Sequence, residues 1–398
     1  MRTILPGWLL LATLLLSCQK PLFPSVGRDA RAGGRTAGRT SESSAPDTLA
    51  SAPAPDIYLT ALRFSDDGAQ VVLFKNGQEC LSVPVEGTPE PERHRVLAGA
   101  LWTDATDGTQ TVVSCNGTER FRHPGAELYR GFLLRGGAVH TLGQRQGWEG
   151  LSYRVNGEER FQSPIGTVLG SADDREWPGG AFCQDSSGIY YSFAVPVRTA
   201  DALLWEYRVM RGAQLLKTVA AGSIQRLYDI RVLDGAVYRS ERRAAWTCLV
   251  RDEEAAPLRL LADAHLCKLV PLDGRMLVKG YSGGWGNLAC TYWLREPDGT
   301  VCSAQGPLPG GELLYDGTHT ALITRDSADC VAEILLDGCA LDVPSGEYRL
   351  ATPRCATLQQ GILGVALSSA AGTHHRVLVD GSATTYSFNG YFTSIVID

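Results

Sequence analysis

From residue 57 onward, apolar residues fall in short runs, each bounded within a few positions by Gly, Asn or Asp. Runs this short and rich in Val, Ile, Leu, Phe, Tyr and Thr suit strands better than helices, which need a longer stretch with a 3.6-residue period. The clearest segments are QVVLFKNGQECLSVP from Gln70, QTVVSCNGTERFRHP from Gln110 and LSYRVNGEERFQSP from Leu151. Their Asn-Gly pairs begin at Asn76, Asn116 and Asn156, spaced 40 residues apart each time. Asn and Gly both tolerate positive φ, so each pair predicts a tight type I′ hairpin turn. Weaker copies surround Arg211-Gly212, Asp252-Glu253, Asp298-Gly299, Asp337-Gly338 and Asp380-Gly381, giving eight hairpins. A second tight turn precedes most of them, at Gly136-Gly137, Asp234-Gly235, Asp273-Gly274, Asp316-Gly317 and Gln360-Gly361. Each unit is therefore expected to be an antiparallel meander of four strands, A to D.

Fixed repeats of about 40 to 45 residues built from four short strands predict an all-β fold, a single β-propeller of about eight four-stranded blades over residues 57–398. Apolar runs such as VVLF and EILL fit sheets buried on both faces. Seven blades with one hairpin miscounted, and an open β-solenoid, are the alternatives. A ring must close, or it leaves sheet edges exposed. Only one strand, Ile57 to Phe64, fits between the N-terminal segment and Gln70, so the first blade lacks its innermost strand. FTSIVID, from Phe392, is expected to supply it.

The N-terminus reads as an address. Arg2 precedes an apolar run from Ile4 to Leu16, too short to span a bilayer comfortably, and the run stops at Ser17-Cys18. Residues 1–17 are expected to be a signal peptide. Leu15-Leu16-Ser17-Cys18 resembles the lipobox of bacterial lipoproteins, although Leu16 departs from the small residue usual there. That resemblance implies acylation of Cys18 and attachment to a membrane; the alternative is an ordinary signal peptide with an unmodified Cys. Residues 18–56 are mostly Ala, Gly, Ser, Thr, Pro and Arg. Such a segment buries too little apolar surface to offset its ordering entropy, and it is expected to be a tether with a reach of roughly 30 to 35 Å. Gln19-Lys20-Pro21 does not resemble the acidic surface-export signal of some Gram-negative lipoproteins. The expected location is the cell envelope, anchored at the outer membrane and facing the periplasm, with surface exposure left open.

Charge narrows the partners. The formal net charge is −6, and removing Arg2 and the net two positive charges of residues 19–55 leaves −9 for the body. An acidic body repels phosphate backbones, so no nucleic acid is expected. Seven His are scattered, no HExxH, CxxC or GxSxG occurs, and no metal or cofactor is expected. His374-His375 opens a strand, where neighbouring side chains point to opposite faces. SDDG at Ser65 departs from the Asp-box of sialidases, because Gly68 comes one place early and no Trp follows. Ten cysteines remain after Cys18; Cys302 is expected opposite residue 295, too far from Cys290 for a disulfide, and most cysteines are expected as small buried hydrophobes.

The B–C and D–A connections emerge on the face opposite the tight C–D turns and vary in length, and function commonly sits on such a face. They carry GQRQGWEG, SADDREWPGG, SERRAAW and YSGGWGN. Trp148, Trp177, Trp246 and Trp285, with Arg145, Arg175, Arg243 and Asn287, suit stacking on and hydrogen bonding to a sugar or peptide. The competing reading is that these rings cap the blade cores. The body resembles β-propeller lipoproteins in general, which host both enzymes and scaffolds. The expectation is a non-catalytic glycan- or protein-binding or scaffolding module at the envelope; the alternative is a propeller glycan hydrolase or polysaccharide lyase.

Overall fold

The computed structural model describes residues 54–398 except 86–88, 146–149, 168–181, 253, 255, 263, 273, 283–288, 296, 307–311, 317, 327 and 344–345. Cys18 and the tether up to residue 53 lie outside the described residues, as do Trp148, Trp177, Trp285, Arg175 and Asn287. The described residues form eight antiparallel sheets arranged as the blades of a propeller. Blade 1 comprises Gly390–Ile397, Ile57–Ser65, Gly68–Lys75 and Gln78–Pro84. Blade 2 runs from His94–Leu97 to Thr118–Pro124, blade 3 from Glu127–Arg135 to Glu158–Gln162, and blade 4 from Phe182–Asp185 to Gln214–Val219. Blade 5 runs from Arg226–Leu233 to Leu258–Ala262, and blade 6 from Ala264–Leu272 to Val301–Gly306. Blade 7 runs from Glu312–Tyr315 to Cys339–Ala340, and blade 8 from Tyr348–Arg349 to Ser382–Ser387. Blade 8 departs from the four-strand rule, because a 3-10 turn at Pro353–Cys355 splits its A strand into Tyr348–Arg349 and Ala356–Gln359.

The Asn-Gly repeat has a physical basis beyond the turn. Asn76, Asn116 and Asn156 adopt φ of 48, 50 and 50°. Their Oδ1 atoms accept hydrogen bonds from the backbone N–H of Ile57, Leu101 and Val139 at 2.8, 2.9 and 2.8 Å. Asp337 does the same for Thr320 at 2.8 Å. In each case a single Asn or Asp closes the C–D hairpin and holds the B strand beside it. In blade 4 the turn falls on Gly212-Ala213, one residue later than the sequence suggested, because Arg211 still pairs with Gln214.

The cores lie between blades. Leu142, Tyr153, Phe182 and Phe193 join blades 3 and 4. Leu59, Ile323, Val365 and Phe392 join blades 1, 7 and 8. In blades 1 to 4 the outer D strands are largely exposed, and a register shift skips Cys80, Arg120, Arg160 or Leu216, four places after the first turn residue. A bulge at the same place in each free edge disfavours pairing with another chain.

The ring closes as the strand count required. Gly390–Ile397 pairs antiparallel with Ile57–Ser65, so blade 1 combines one C-terminal A strand with three N-terminal strands. Side chains reinforce the closure: Thr60 Oγ1 lies 2.8 Å from Thr393 Oγ1 and 2.6 Å from Ser394 Oγ. Thr352 Oγ1 of blade 8 donates to the Thr393 carbonyl at 2.7 Å, and His94 Nε2 of blade 2 lies 2.7 Å from Thr393 Oγ1. The closing strand is therefore tied to both neighbouring blades.

Cysteine placement follows the local registers. Cys302 pairs with Leu294, one position from the residue expected, and Cys290 pairs with Gly306. The shift follows from Arg295 pairing with Val301 across the five positions 296–300, in place of a two-residue turn. Among the described residues Cys115, Cys248, Cys267, Cys330 and Cys355 are buried, Cys80 and Cys339 are exposed, and all are free thiols. His374 is exposed and His375 buried, as alternation along a strand dictates.

Candidate functional site

Of the residues expected at a binding face, the structure describes Trp246, Arg243 and Arg145. Trp246 opens the C strand of blade 5 immediately after the two-residue turn Ala244-Ala245, and it pairs across that hairpin with Arg243. Ala244 takes a φ of 50°, which gives the turn the twist of its flanking strands. The strand end leaves Trp246 39 % exposed, whereas Trp102 and Trp293 are buried in blade cores. The Arg259 guanidinium sits 6.0 Å from the Trp246 ring centroid, within cation–π range. The hairpin therefore presents an aromatic face between two arginines.

Arg243 is oriented from below. Its Nε donates to Glu241 Oε1 at 2.6 Å, and Arg239 Nη1 pairs with Glu241 Oε2 at 3.1 Å. Arg239 Nε continues to Asp252 Oδ1 at 3.0 Å, which Lys217 of blade 4 also contacts at 2.9 Å. Residues 239, 241 and 243 share one face of the B strand, so the alternation of the strand builds the chain of charges. Arg239 and Glu241 are buried while the Arg243 side chain is 40 % exposed. The buried carboxylate fixes the exposed guanidinium and leaves its outer edge to solvent.

Arg145 is committed elsewhere. It pairs with Glu159 at 2.9 Å, and its Nε lies 3.7 Å from the buried carboxylate of Glu127. Glu127 also receives Ser152 Oγ at 2.7 Å and Arg154 Nη2 at 2.9 Å. Room for this carboxylate comes from Gly143 on the adjoining strand, where a Cβ would overlap Glu127 Oε2. Nearby, His123 Nε2 meets Tyr129 OH at 2.6 Å; burial holds that imidazole below its ordinary range and drives the Tyr129 phenol up. This network ties the ends of blade 3 together and leaves little of Arg145 for a ligand.

Two further buried acids sit in the blades. Asp104 pairs with Arg95 at 2.7 Å and Arg93 at 3.1 Å, and burial pushes its carboxyl up to about 6. Asp229 pairs with Arg231 at 2.6 Å and accepts from Leu269 N at 2.9 Å; burial likewise raises it to about 6. Sequence reasoning missed these networks, since their membership depends on which residues the registers place opposite one another. It also missed Arg135 and Arg211, which line a cleft at the other end of the blades. An Arg directly before the glycine of a tight turn, in Arg135-Gly136 and Arg211-Gly212, is the signal that marks both. Among the described residues, no group of three or more His, Cys, Asp or Glu is placed to hold a metal ion, and no helix is long and apolar enough to cross a membrane.

Several solved structures are similar to this chain. Apo AztD from Citrobacter koseri shares 12 % identity over 86 % of this chain and 98 % of its own, with a TM-score of 0.49. BamB from Moraxella catarrhalis shares 11 % over 75 % of this chain and 88 % of its own, at 0.43. Dihydro-heme d1 dehydrogenase NirN in complex with DHE shares 12 % over 85 % and 74 %, at 0.49. No protein-family model and no curated protein matches the chain. Similarity this distant says nothing of function.

Proposed function

We propose that the protein is a lipid-anchored envelope propeller whose B–C face binds a glycan or protein partner without chemical turnover. The observation that carries the reading is Trp246, a large aromatic ring left 39 % exposed at a hairpin end and flanked by Arg243 and Arg259. Exposed aromatic surface beside oriented guanidiniums is the usual composition of a binding anchor, because the ring gains apolar contact and the arginines supply directional donors. Four buried acids are removed as candidates for glycan hydrolysis by their enclosure. Glu127, Glu241, Asp104 and Asp229 have side chains at most 2 % exposed, each within 3.1 Å of an arginine. Carboxylates so enclosed cannot reach a glycosidic oxygen or hold an attacking water.

The anchor rests on Leu15-Leu16-Ser17-Cys18 and on the composition of the segment that follows. Several acyl chains at Cys18 would hold the protein stably at a membrane, as one would not. Both parts are testable. A glycan and peptide array probed with the full-length chain, with mass analysis of every retained ligand, should give a ligand bound and recovered unaltered; release of cleaved product would establish the hydrolase or lyase instead. Cys18→Ala should move the protein from the membrane to the soluble fraction. Retention of that variant through an uncleaved N-terminal segment would rule out the acyl anchor.

A further inference from the structure

The A–B and C–D turns project from the opposite end of the blades, and between blades 3 and 4 they frame an open cleft of about 410 Å³. Arg135 ends the A strand of blade 3 and Arg211 ends the C strand of blade 4, and both line this cleft. They converge at Gly188, where a Cβ would lie 2.9 Å from Arg211 Cγ and 3.7 Å from Arg135 Nη1. The missing side chain is what lets the two arginines share the space. Arg135 Nη2 donates to the Ser186 carbonyl at 2.7 Å and Arg211 Nη2 to Gln214 Oε1 at 3.1 Å. Among the described residues neither forms an ion pair. Asp185, at the adjoining turn, already accepts from Ser187 N and Oγ, both at 2.8 Å, and from Gly188 N at 3.1 Å. Glu158 is taken up by Arg160 at 2.7 Å.

The remaining wall is aromatic and hydrogen-bonded. Tyr153 is buried, stacks on His140 and Tyr191 at centroid distances of 6.0 and 5.3 Å, and meets His140 Nδ1 through its hydroxyl at 2.7 Å. Two arginines that line one cleft without acidic partners among the described residues attract a doubly charged oxyanion, and guanidinium geometry matches phosphate oxygens in bidentate fashion. We propose that this cleft is a phosphate site, taking the dianion of a phosphate monoester between Arg135 and Arg211, separate from the Trp246 hairpin. His140 reports on it. Burial and the charge of Arg135 hold its imidazole below the ordinary value, so an anion that offsets Arg135 should raise it.

The test titrates the full-length protein with inorganic phosphate against chloride at equal ionic strength, following binding by calorimetry and the His140 ring by NMR, its signal assigned with His140→Gln. Saturable phosphate binding is expected, with a rise in the His140 pKa. Arg211→Gln should weaken binding about tenfold or more, and because it leaves the Arg135 to Ser186 bond between blades intact, loss of folding does not confound it. Arg135→Gln should weaken binding similarly. Absence of a phosphate effect beyond that of chloride, or unchanged affinity in Arg211→Gln, would overturn the proposal. Succinate binding where phosphate does not would overturn the phosphate assignment in favour of a dicarboxylate.

Discussion

His94 Nε2 stands 2.7 Å from Thr393 Oγ1 although the two residues are 299 positions apart. The contact joins blade 2 to the strand that closes blade 1, and it is inside the protein: His94 is 2 % exposed. Burial, with Arg354 and Arg95 alongside, pushes the imidazole down to about 3. The unfolded chain takes up this proton near pH 6.5 whereas the folded chain resists until about 3. The unfolded state therefore binds more protons in that window, and stability falls as the pH drops from 6.5 towards 3, by an upper bound on the order of 5 kcal/mol.

Asp104 and Asp229 work the other way, since carboxyls raised to about 6 favour the folded state as the pH falls from 6 towards 3.8. The His94 contribution is isolated by difference. Urea unfolding of wild type and His94→Gln at pH 7 and pH 4.5 should show a smaller acid-induced loss in the variant. Equal losses would mean that His94 is protonated in the folded protein.

The repeat asparagines offer a second measurement. Asn156→Gly keeps a residue suited to positive φ and removes only the bond to Val139 N; Asn156→Ala loses both. The glycine variant should cost about 0.5 to 1 kcal/mol and the alanine variant about 1 kcal/mol more. Equal costs on denaturant unfolding would place the whole effect in the side-chain bond.

Glu127 is the centre of the blade 3 network, and its removal leaves the buried Arg154 paired with the half-exposed Glu159 at 3.0 Å in place of a buried carboxylate. Glu127→Ala should destabilise by up to about 3 to 5 kcal/mol, the cost of breaking a buried ion pair from one side, less what Glu159 still offsets. A loss below about 1 kcal/mol in chemical denaturation would show that the pair is hydrated and of little consequence.

Most of the architecture was legible because one local rule repeats. Asn-Gly at Asn76, Asn116 and Asn156 encodes both the hairpin and the clamp on the neighbouring strand, and strand counting at the two termini was enough to predict closure. The split A strand of blade 8 was not legible, since Thr352 and Cys355 are drawn out of register by contacts to the closing strand far away in sequence. The candidate site was legible only as composition. Trp246 shows its exposure in the structure, but Arg145 turns towards Glu127 and Glu159 because strand register brings those acids beside it. Convergence of Arg135 and Arg211 depends on a glycine in a third strand, which no local pattern announces.

The binding role of the B–C face is tested most directly by Trp246→Ala, measured for affinity towards the ligand found on the array and for stability on the same preparation. An exposed anchor predicts affinity lower by about 1 to 3 kcal/mol with stability changed by less than about 1 kcal/mol. Unchanged affinity, or stability lower by about 3 to 5 kcal/mol with any binding loss following from unfolding, would contradict the account and make Trp246 a cap on the core of blade 5.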